Sequence, residues 1–228
     1  GAAWAAATSL KVYPAVLAPA FFPRGRRQGL VAGAATGLGI ALLPFLFFGP
    51  AQGAALYGEF LGALESKGMP LHSHNQSIVA LLLRLFTAET FHLHGVADTQ
   101  WTLVALPPAL VRAIALGIGA ALALLSWWKA RGRPELALGA AAFSILFLSH
   151  IVWKDYLLFL YFPLAWLFVQ LGKRQALLLA GAFLLAITLS SPEVVGPAVS
   201  ARLDAACIHL WAAVIVWVTW LTTSSRSP

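Results

Sequence analysis

Charged residues are scarce in this chain, since only 10% of its 228 residues are Asp, Glu, Lys or Arg while 60% are hydrophobic. A soluble domain keeps roughly a quarter of its residues charged, so this sequence cannot cover itself with a water-compatible surface. Cysteine is scarcer still: Cys207 is the only one, and no disulfide is possible within one chain. These shortages exclude a cytosolic globular enzyme, a disordered chain and a disulfide scaffold. The lipid bilayer must therefore be the solvent of this protein.

Recognisable processing and nucleotide-binding signals are also missing. The chain begins with Gly1 rather than Met, and it has no short apolar region followed by a cleavage site that would indicate a signal peptide. It contains no Walker or dinucleotide-binding glycine motif. We expect the sequence to be the C-terminal part of a longer membrane protein.

Long apolar stretches are abundant, and seven of them approach the ~20 residues that a helix needs to cross a bilayer. They are continuous rather than alternating, which favours helices over the strands of a barrel. Their approximate bounds are 4–22, 29–48, 106–128, 135–152, 156–171, 175–189 and 205–221. We expect an all-α integral membrane protein with about seven transmembrane helices, forming a single transmembrane domain over residues 1–228. Gly117 and Ala121, one turn apart, suit a close helix contact in the third stretch.

The net charge of +7 comes from basic residues that gather in every second connection between the apolar stretches. These residues are Arg24, Arg26, Arg27, Lys129, Arg131, Arg133, Lys173, Arg174 and Arg226. By the positive-inside rule, the basic connections are cytoplasmic. The pattern predicts a multi-pass protein of the cell membrane with a cytoplasmic C-terminus and with the long segment 49–105 outside.

Segment 49–105 is too polar to be a plain connector, and its polar residues concentrate at positions 71–77, where His74, Asn75 and Gln76 lie. Residues 78–86 are apolar apart from Arg84 and are too few to span a bilayer. They predict a short helix at the interface or against the bundle, capped by Ser77 or Asn75. Either this cluster holds a phosphate with the helix N-terminus, or it is a capped surface helix with solvated histidines.

Two histidine pairs, His72 with His74 and His92 with His94, raise the possibility of a metal site. Alternate residues of an extended segment point the same way, and imidazole is a good zinc ligand. A third ligand at a familiar spacing is missing from the sequence. We therefore predict neither a metal nor any other cofactor.

Ionisable residues at membrane depth usually have a function. Lys11 lies in the middle of the first stretch, beside Pro14, where it either faces a polar cavity or forms a structural ion pair. Arg112 either snorkels outward or pairs with a carboxylate. At the outer mouth between the fourth and fifth stretches, His150 and Lys154 can line a pocket with the 71–77 cluster, although Lys154 also suits a simple interface anchor.

The order of these motifs resembles glycosyltransferase family 87, the alpha-mannosyltransferase-like group that includes enzymes dependent on polyprenyl-phosphate mannose. The matching elements are Lys11 and Pro14 in a kinked helix, an arginine-rich inner turn, Asn75-Gln76-Ser77 before a helix bearing Arg84, and Ser149-His150 at the outer end of a span. The chain differs from the family pattern after His150, where Ile151 to Lys154 stand in place of the further aromatic residues or second histidine that the pattern leads us to expect.

The resemblance implies a membrane glycosyltransferase of the C-type fold. Such an enzyme moves a sugar, here expected to be mannose, from a polyprenyl-phosphate donor to a lipid or glycan acceptor on the outer face. Its catalytic acidic residue is expected before Gly1, so we name no catalytic residue. The resemblance and the polar cluster together nominate seven residues for contact with the donor phosphate or substrate: Lys11, His74, Asn75, Gln76, Arg84, His150 and Lys154.

Two other interpretations compete with a transferase. A polytopic transporter or lipid flippase also uses polar cavities and kinked helices, but it more often shows paired internal repeats, which this sequence lacks. A noncatalytic subunit would leave Lys11 and the histidine-rich segment unexplained. The expected partners are the lipid donor, the acceptor and membrane lipids, and not nucleic acid.

Overall fold

The computed structural model describes residues 27–66, 71–91, 93 and 99–225. The first predicted span, with Lys11 and Pro14, lies outside the described residues, as do His92 and His94. The described residues are mainly helical, and their strand-like pairing is limited to an isolated bridge between Phe91 and Thr99. The chain divides into two compact units, Gly1–Gly68 and Met69–Pro228. A single transmembrane domain over the whole chain stays a prediction.

The described part of the first unit is one long helix, α1 (Arg27–Ser66), which is sharply bent at Gly49. Gly49 has φ +81°, a left-handed conformation that favours glycine. The Tyr57 hydroxyl donates to the carbonyl of Ala41 over 2.7 Å, although 16 helical residues would span about 24 Å. The second arm therefore folds back against the first. Helical residues extend as far as Ser66, well into the segment 49–105 that the sequence describes as an outer loop.

The second unit contains eight further α-helices and one 3₁₀ turn among its described residues. They are α2 (Ile78–Phe86), α3 (Pro108–Lys129), α4 (Pro134–Leu148), the 3₁₀ turn Lys154–Leu160, α5 (Tyr161–Gln170), α6 (Lys173–Leu189), α7 (Pro192–Val195), α8 (Pro197–Ala205) and α9 (Ile208–Ser224). Each predicted apolar stretch from 106 onward thus contains a helix.

Within the described ranges, two helical segments are long and apolar enough to cross a membrane, Val31–Glu59 and Pro108–Lys129. A third candidate is the pair α8 and α9, which is bent by 50°. The helix α4 has only 15 residues, which corresponds to about 22 Å against a hydrocarbon thickness of ~30 Å. The all-α architecture with apolar spans fits a membrane protein, whereas the count of seven spans stays a prediction.

The core of the second unit forms around α4, whose residues are buried on every side from Ala140 to Phe147. A helix that is apolar all round belongs in such a central position. Its closest neighbour is α3, where a Cβ added to Gly119 would lie 2.2 Å from the Phe147 carbonyl oxygen. Gly117, which the sequence favours for close contact, instead faces open space. Beside this core, α2 and the α8–α9 junction hold a group of buried polar residues together.

Candidate active site

The polar turn 71–77 leads into α2 and is fixed by its own side chains. The Ser77 hydroxyl accepts a hydrogen bond from the Ala80 amide over 3.0 Å, which confirms the predicted helix cap at Ser77. The Asn75 carboxamide oxygen accepts from the amides of Ser77 and Val152, at 3.1 and 3.0 Å. Its amide nitrogen donates to the His150 carbonyl oxygen over 3.0 Å. The turn is therefore bound to the link between α4 and the 3₁₀ turn.

Gln76 connects the same turn to the junction of α8 and α9. Its side-chain nitrogen donates to the Asp204 carbonyl oxygen over 2.8 Å, and its side-chain oxygen lies 3.3 Å from the His209 amide. Gln76 is almost completely buried. Buried polar groups are stable only when they are hydrogen-bonded. The hydrogen bonds of Gln76 therefore stabilise the position of the α8–α9 bend beside the turn.

Arg84 is fully buried in α2, and its guanidinium reaches carbonyl oxygens of two distant segments. One terminal nitrogen donates to Ala205 over 2.7 Å and to the Cys207 sulfur over 3.2 Å. The other donates to His72 over 2.6 Å and to Asn75 over 2.9 Å. Burial lowers the pKa of Arg84, and the neighbouring Cys207 and Asp204 oppose that shift. The guanidinium thus joins the polar turn to the α8–α9 junction through backbone contacts.

A buried carboxylate, Asp204, lies at the centre of this arrangement. One of its oxygens, Oδ2, lies 2.8 Å from His74 Nδ1 and 3.0 Å from Lys154 Nζ. The other, Oδ1, lies 3.8 Å from His209 Nδ1, and neither of these two atoms has a hydrogen-bond partner among the described residues. Asp204 has no exposed surface, whereas the Lys154 and His74 side chains are 38% and 35% exposed. The buried carboxylate therefore contacts two side chains, His74 and Lys154, that are themselves partly exposed.

An apolar cleft of about 560 Å³ opens beside this cluster. The charged and polar residues of its lining, here called the polar end, are Lys154, Asp155, Ser190, Ser191 and His209. The Ser190 hydroxyl lies 2.9 Å from His209 Nε2. The walls come from the 3₁₀ turn, α5 and α6, and are mainly Leu157, Leu158, Tyr161, Leu164, Phe183 and Ile187. A site of this size with apolar walls and a few convergent polar groups is typical of small-molecule binding.

Five of the seven nominated residues meet in this one region, but they occupy different positions. Lys154 lines the cleft, and His74 contacts Asp204 beside it. Asn75, Gln76 and Arg84 are buried behind the cleft and bonded to the protein, so their contact with a donor stays a prediction. The sixth, His150, joins the network through its carbonyl oxygen while its side chain is exposed.

The sequence interpretation missed Asp204 as a possible site residue. A usable signal was present, because Asp204 is a lone carboxylate at the start of an apolar stretch, five positions before His209. Ionisable residues at such positions are usually paired. Among the residues that the structure describes, no group of three or more His, Cys, Asp or Glu side chains is arranged to hold a metal.

These features define a helical membrane protein with a polar cluster at the end of an apolar cleft. The model of glycosyltransferase family 87 matches residues 1–153, about two thirds of the chain. The chain belongs to this family, which confirms the resemblance seen in its motifs, and it is a membrane glycosyltransferase. No curated protein matches the chain, and neither does any solved structure. The family match ends just before Lys154, so Asp204 and all the residues that line the cleft lie beyond it.

Proposed function

We propose that this glycosyltransferase takes mannose from a polyprenyl-phosphate donor and transfers it to a lipid or glycan acceptor on the outer face of the cell membrane. The observation that carries this proposal is the cleft, whose walls are mainly apolar and whose polar lining includes the Lys154 ammonium. A role in building cell-envelope glycolipids follows from such a donor and such an acceptor.

Sugar transfer requires groups that stabilise the negative charge of the departing phosphate. The bond between the anomeric carbon and the phosphate oxygen breaks, and polyprenyl phosphate leaves with the bonding electrons. The acceptor oxygen bonds to the anomeric carbon, and its hydroxyl proton passes to a general base. Cations and hydrogen-bond donors accelerate this step by stabilising the negative charge of the leaving group. Lys154, with a compact ammonium group, is suitably placed at the polar end of the cleft.

The walls favour a lipid donor over a nucleotide donor. Leu157, Leu158, Leu164 and Ile187 offer no hydrogen bonds to a base or ribose. Burial of a prenyl chain against them is favourable by about 25 cal/mol per Å² of apolar surface removed from water. The cleft therefore suits an anionic head group attached to a hydrocarbon chain.

The other nominated residues have different roles in this proposal. His74, His150 and Lys11 are proposed to contact the phosphate or the sugar. Asn75, Gln76 and Arg84 are proposed to serve the donor site through the turn and the helix junction that they hold. The residue that activates the acceptor hydroxyl is not assigned.

The orientation in the membrane is part of the proposal, because it places the cleft outside. Cysteine at Gln100, which is exposed, should react with an impermeant thiol reagent added to intact cells. Cysteine at Gly172, where a Cβ meets no atom within 4 Å, should not react until the membrane is opened. The native Cys207 is fully buried and gives little background. Equal labelling, or the reverse order, contradicts the outward orientation.

The donor is tested by transfer assays on the complete protein in liposomes. Radiolabelled polyprenyl-phosphate mannose should give labelled product with host membrane lipids as acceptors, and nucleotide-linked mannose should not. Lys154→Met should lower transfer by about tenfold, the effect of one charge-assisted hydrogen bond of ~1.4 kcal/mol. Lys173→Met, on an exposed lysine outside the cleft, is the matched control. Transfer from the nucleotide donor, or full activity of Lys154→Met, contradicts the proposal.

A further inference from the structure

Two protein contacts hold the Lys154 ammonium at the polar end of the cleft. Its ammonium lies 3.0 Å from Asp204 Oδ2 and donates to the Ser190 carbonyl oxygen over 3.3 Å. A lysine ammonium has three N–H donors, so these contacts occupy two of them. The third remains for an oxygen atom of a ligand in the cleft.

The carboxylate that holds Lys154 is itself rigidly placed. Asp204 is fully buried, its backbone carbonyl accepts from Gln76, and its Oδ2 is shared with His74. A buried carboxylate is tolerated only when it is paired, and the side chains of its two partners, His74 and Lys154, are partly exposed. A lysine without such a partner has a long flexible side chain that samples many rotamers and extends into water.

We propose that Asp204 is a positioning residue for the donor site: it holds the Lys154 ammonium at the end of the cleft, where its free N–H meets the phosphate of the lipid donor. This inference rests on the proposed function, because it takes the phosphate lipid as the ligand of Lys154. Through His74, the same carboxylate also joins the polar turn to the cleft.

The direction in which donor affinity changes when the Asp204 carboxylate is removed distinguishes a positioning role from simple neutralisation of the lysine charge. A negative charge behind Lys154 repels a phosphate, so its removal strengthens binding if the carboxylate only neutralises the lysine. If the carboxylate positions the ammonium, its removal weakens binding, because the lysine must then be ordered by the ligand.

The test is a double-mutant cycle on the complete protein in nanodiscs, with the Kd of radiolabelled polyprenyl-phosphate mannose as the readout. Asp204→Asn and Lys154→Met should each weaken binding about tenfold, and the double variant should be no weaker than Lys154→Met alone, because coupled residues are non-additive. Binding of uncharged polyprenol should change less than twofold in every variant. Glu135→Gln, on an exposed carboxylate paired with Arg133, is the control and should bind as the native protein does.

The outcomes separate the two proposals. If Lys154→Met weakens binding while Asp204→Asn leaves it unchanged, strengthens it, or multiplies the loss in the double variant, the positioning role is overturned and the proposed donor site stands. If Lys154→Met leaves the Kd unchanged, the donor site and the positioning role both fall. If Asp204→Asn does not fold, Asp204→Glu tests the positioning role instead. Its extra methylene should displace the Lys154 ammonium and weaken binding of the phosphate lipid at least threefold. Native affinity of Asp204→Glu overturns the positioning role.

Discussion

The central structural contribution of Arg84 leads to a direct prediction about stability. Arg84→Met keeps a long side chain but removes the donors that reach the carbonyl oxygens of Ala205, His72 and Asn75. Leaving a buried polar group without a partner costs about 1–3 kcal/mol. The His72 carbonyl keeps the Asn75 amide as a donor, and the Asn75 carbonyl keeps the Cys207 thiol. The main loss is therefore at the Ala205 carbonyl, and we expect a destabilisation of about 1–3 kcal/mol.

The thermal unfolding temperature of the complete protein in detergent measures this loss. A destabilisation of 1 kcal/mol lowers Tm by about 2–4 °C in soluble domains of 150–250 residues, so Arg84→Met should unfold roughly 2–12 °C below the native protein. Arg112→Met, on the exposed face of α3, is the control and should lie within about 2 °C of the native protein. A native Tm for Arg84→Met refutes the structural role of the guanidinium.

Three other substitutions test separate parts of the account. Gly119→Ala should lower Tm by several degrees because its Cβ would lie 2.2 Å from the Phe147 carbonyl oxygen, whereas Gly117→Ala should not, and equal Tm values would contradict the close packing of α3 on α4. His150→Ala should reduce transfer from polyprenyl-phosphate mannose about tenfold with an unchanged Tm, because its side chain is exposed; native transfer removes this histidine from the site. Lys11→Met should fold as well as the native protein and lose transfer while Lys11→Arg keeps part of it, and a normally active but less stable Lys11→Met would show a structural ion pair instead.

Local features of the site could be predicted from the sequence. Residues 78–86 form the expected short helix, and Ser77 caps it. Both features depend on neighbours within a few positions, namely an oxygen-bearing side chain at the N-cap and an apolar run after it. The helices from 106 onward were predictable for the same reason, because apolar composition is a property of each stretch by itself.

The central position of Asp204 could not be predicted in the same way. Its contact with His74 joins residues 130 positions apart, and its contact with Lys154 depends on how α8 bends into α9. The close approach at Gly119 rather than Gly117 has a similar origin. Small residues mark both positions as possible contacts, but the face of α3 that meets α4 is decided by the packing of the whole unit.

The most direct test of the central claim is to locate the lipid donor on the protein. A polyprenyl-phosphate mannose analogue with a photoreactive group in the prenyl chain is crosslinked to the complete protein, and the labelled peptides are identified by mass spectrometry. The account predicts labels in the walls of the cleft, at 157–164 and 183–192, that are competed by polyprenyl phosphate and reduced in Lys154→Met. Labels confined to other helices, such as α3, and insensitive to that substitution would contradict it.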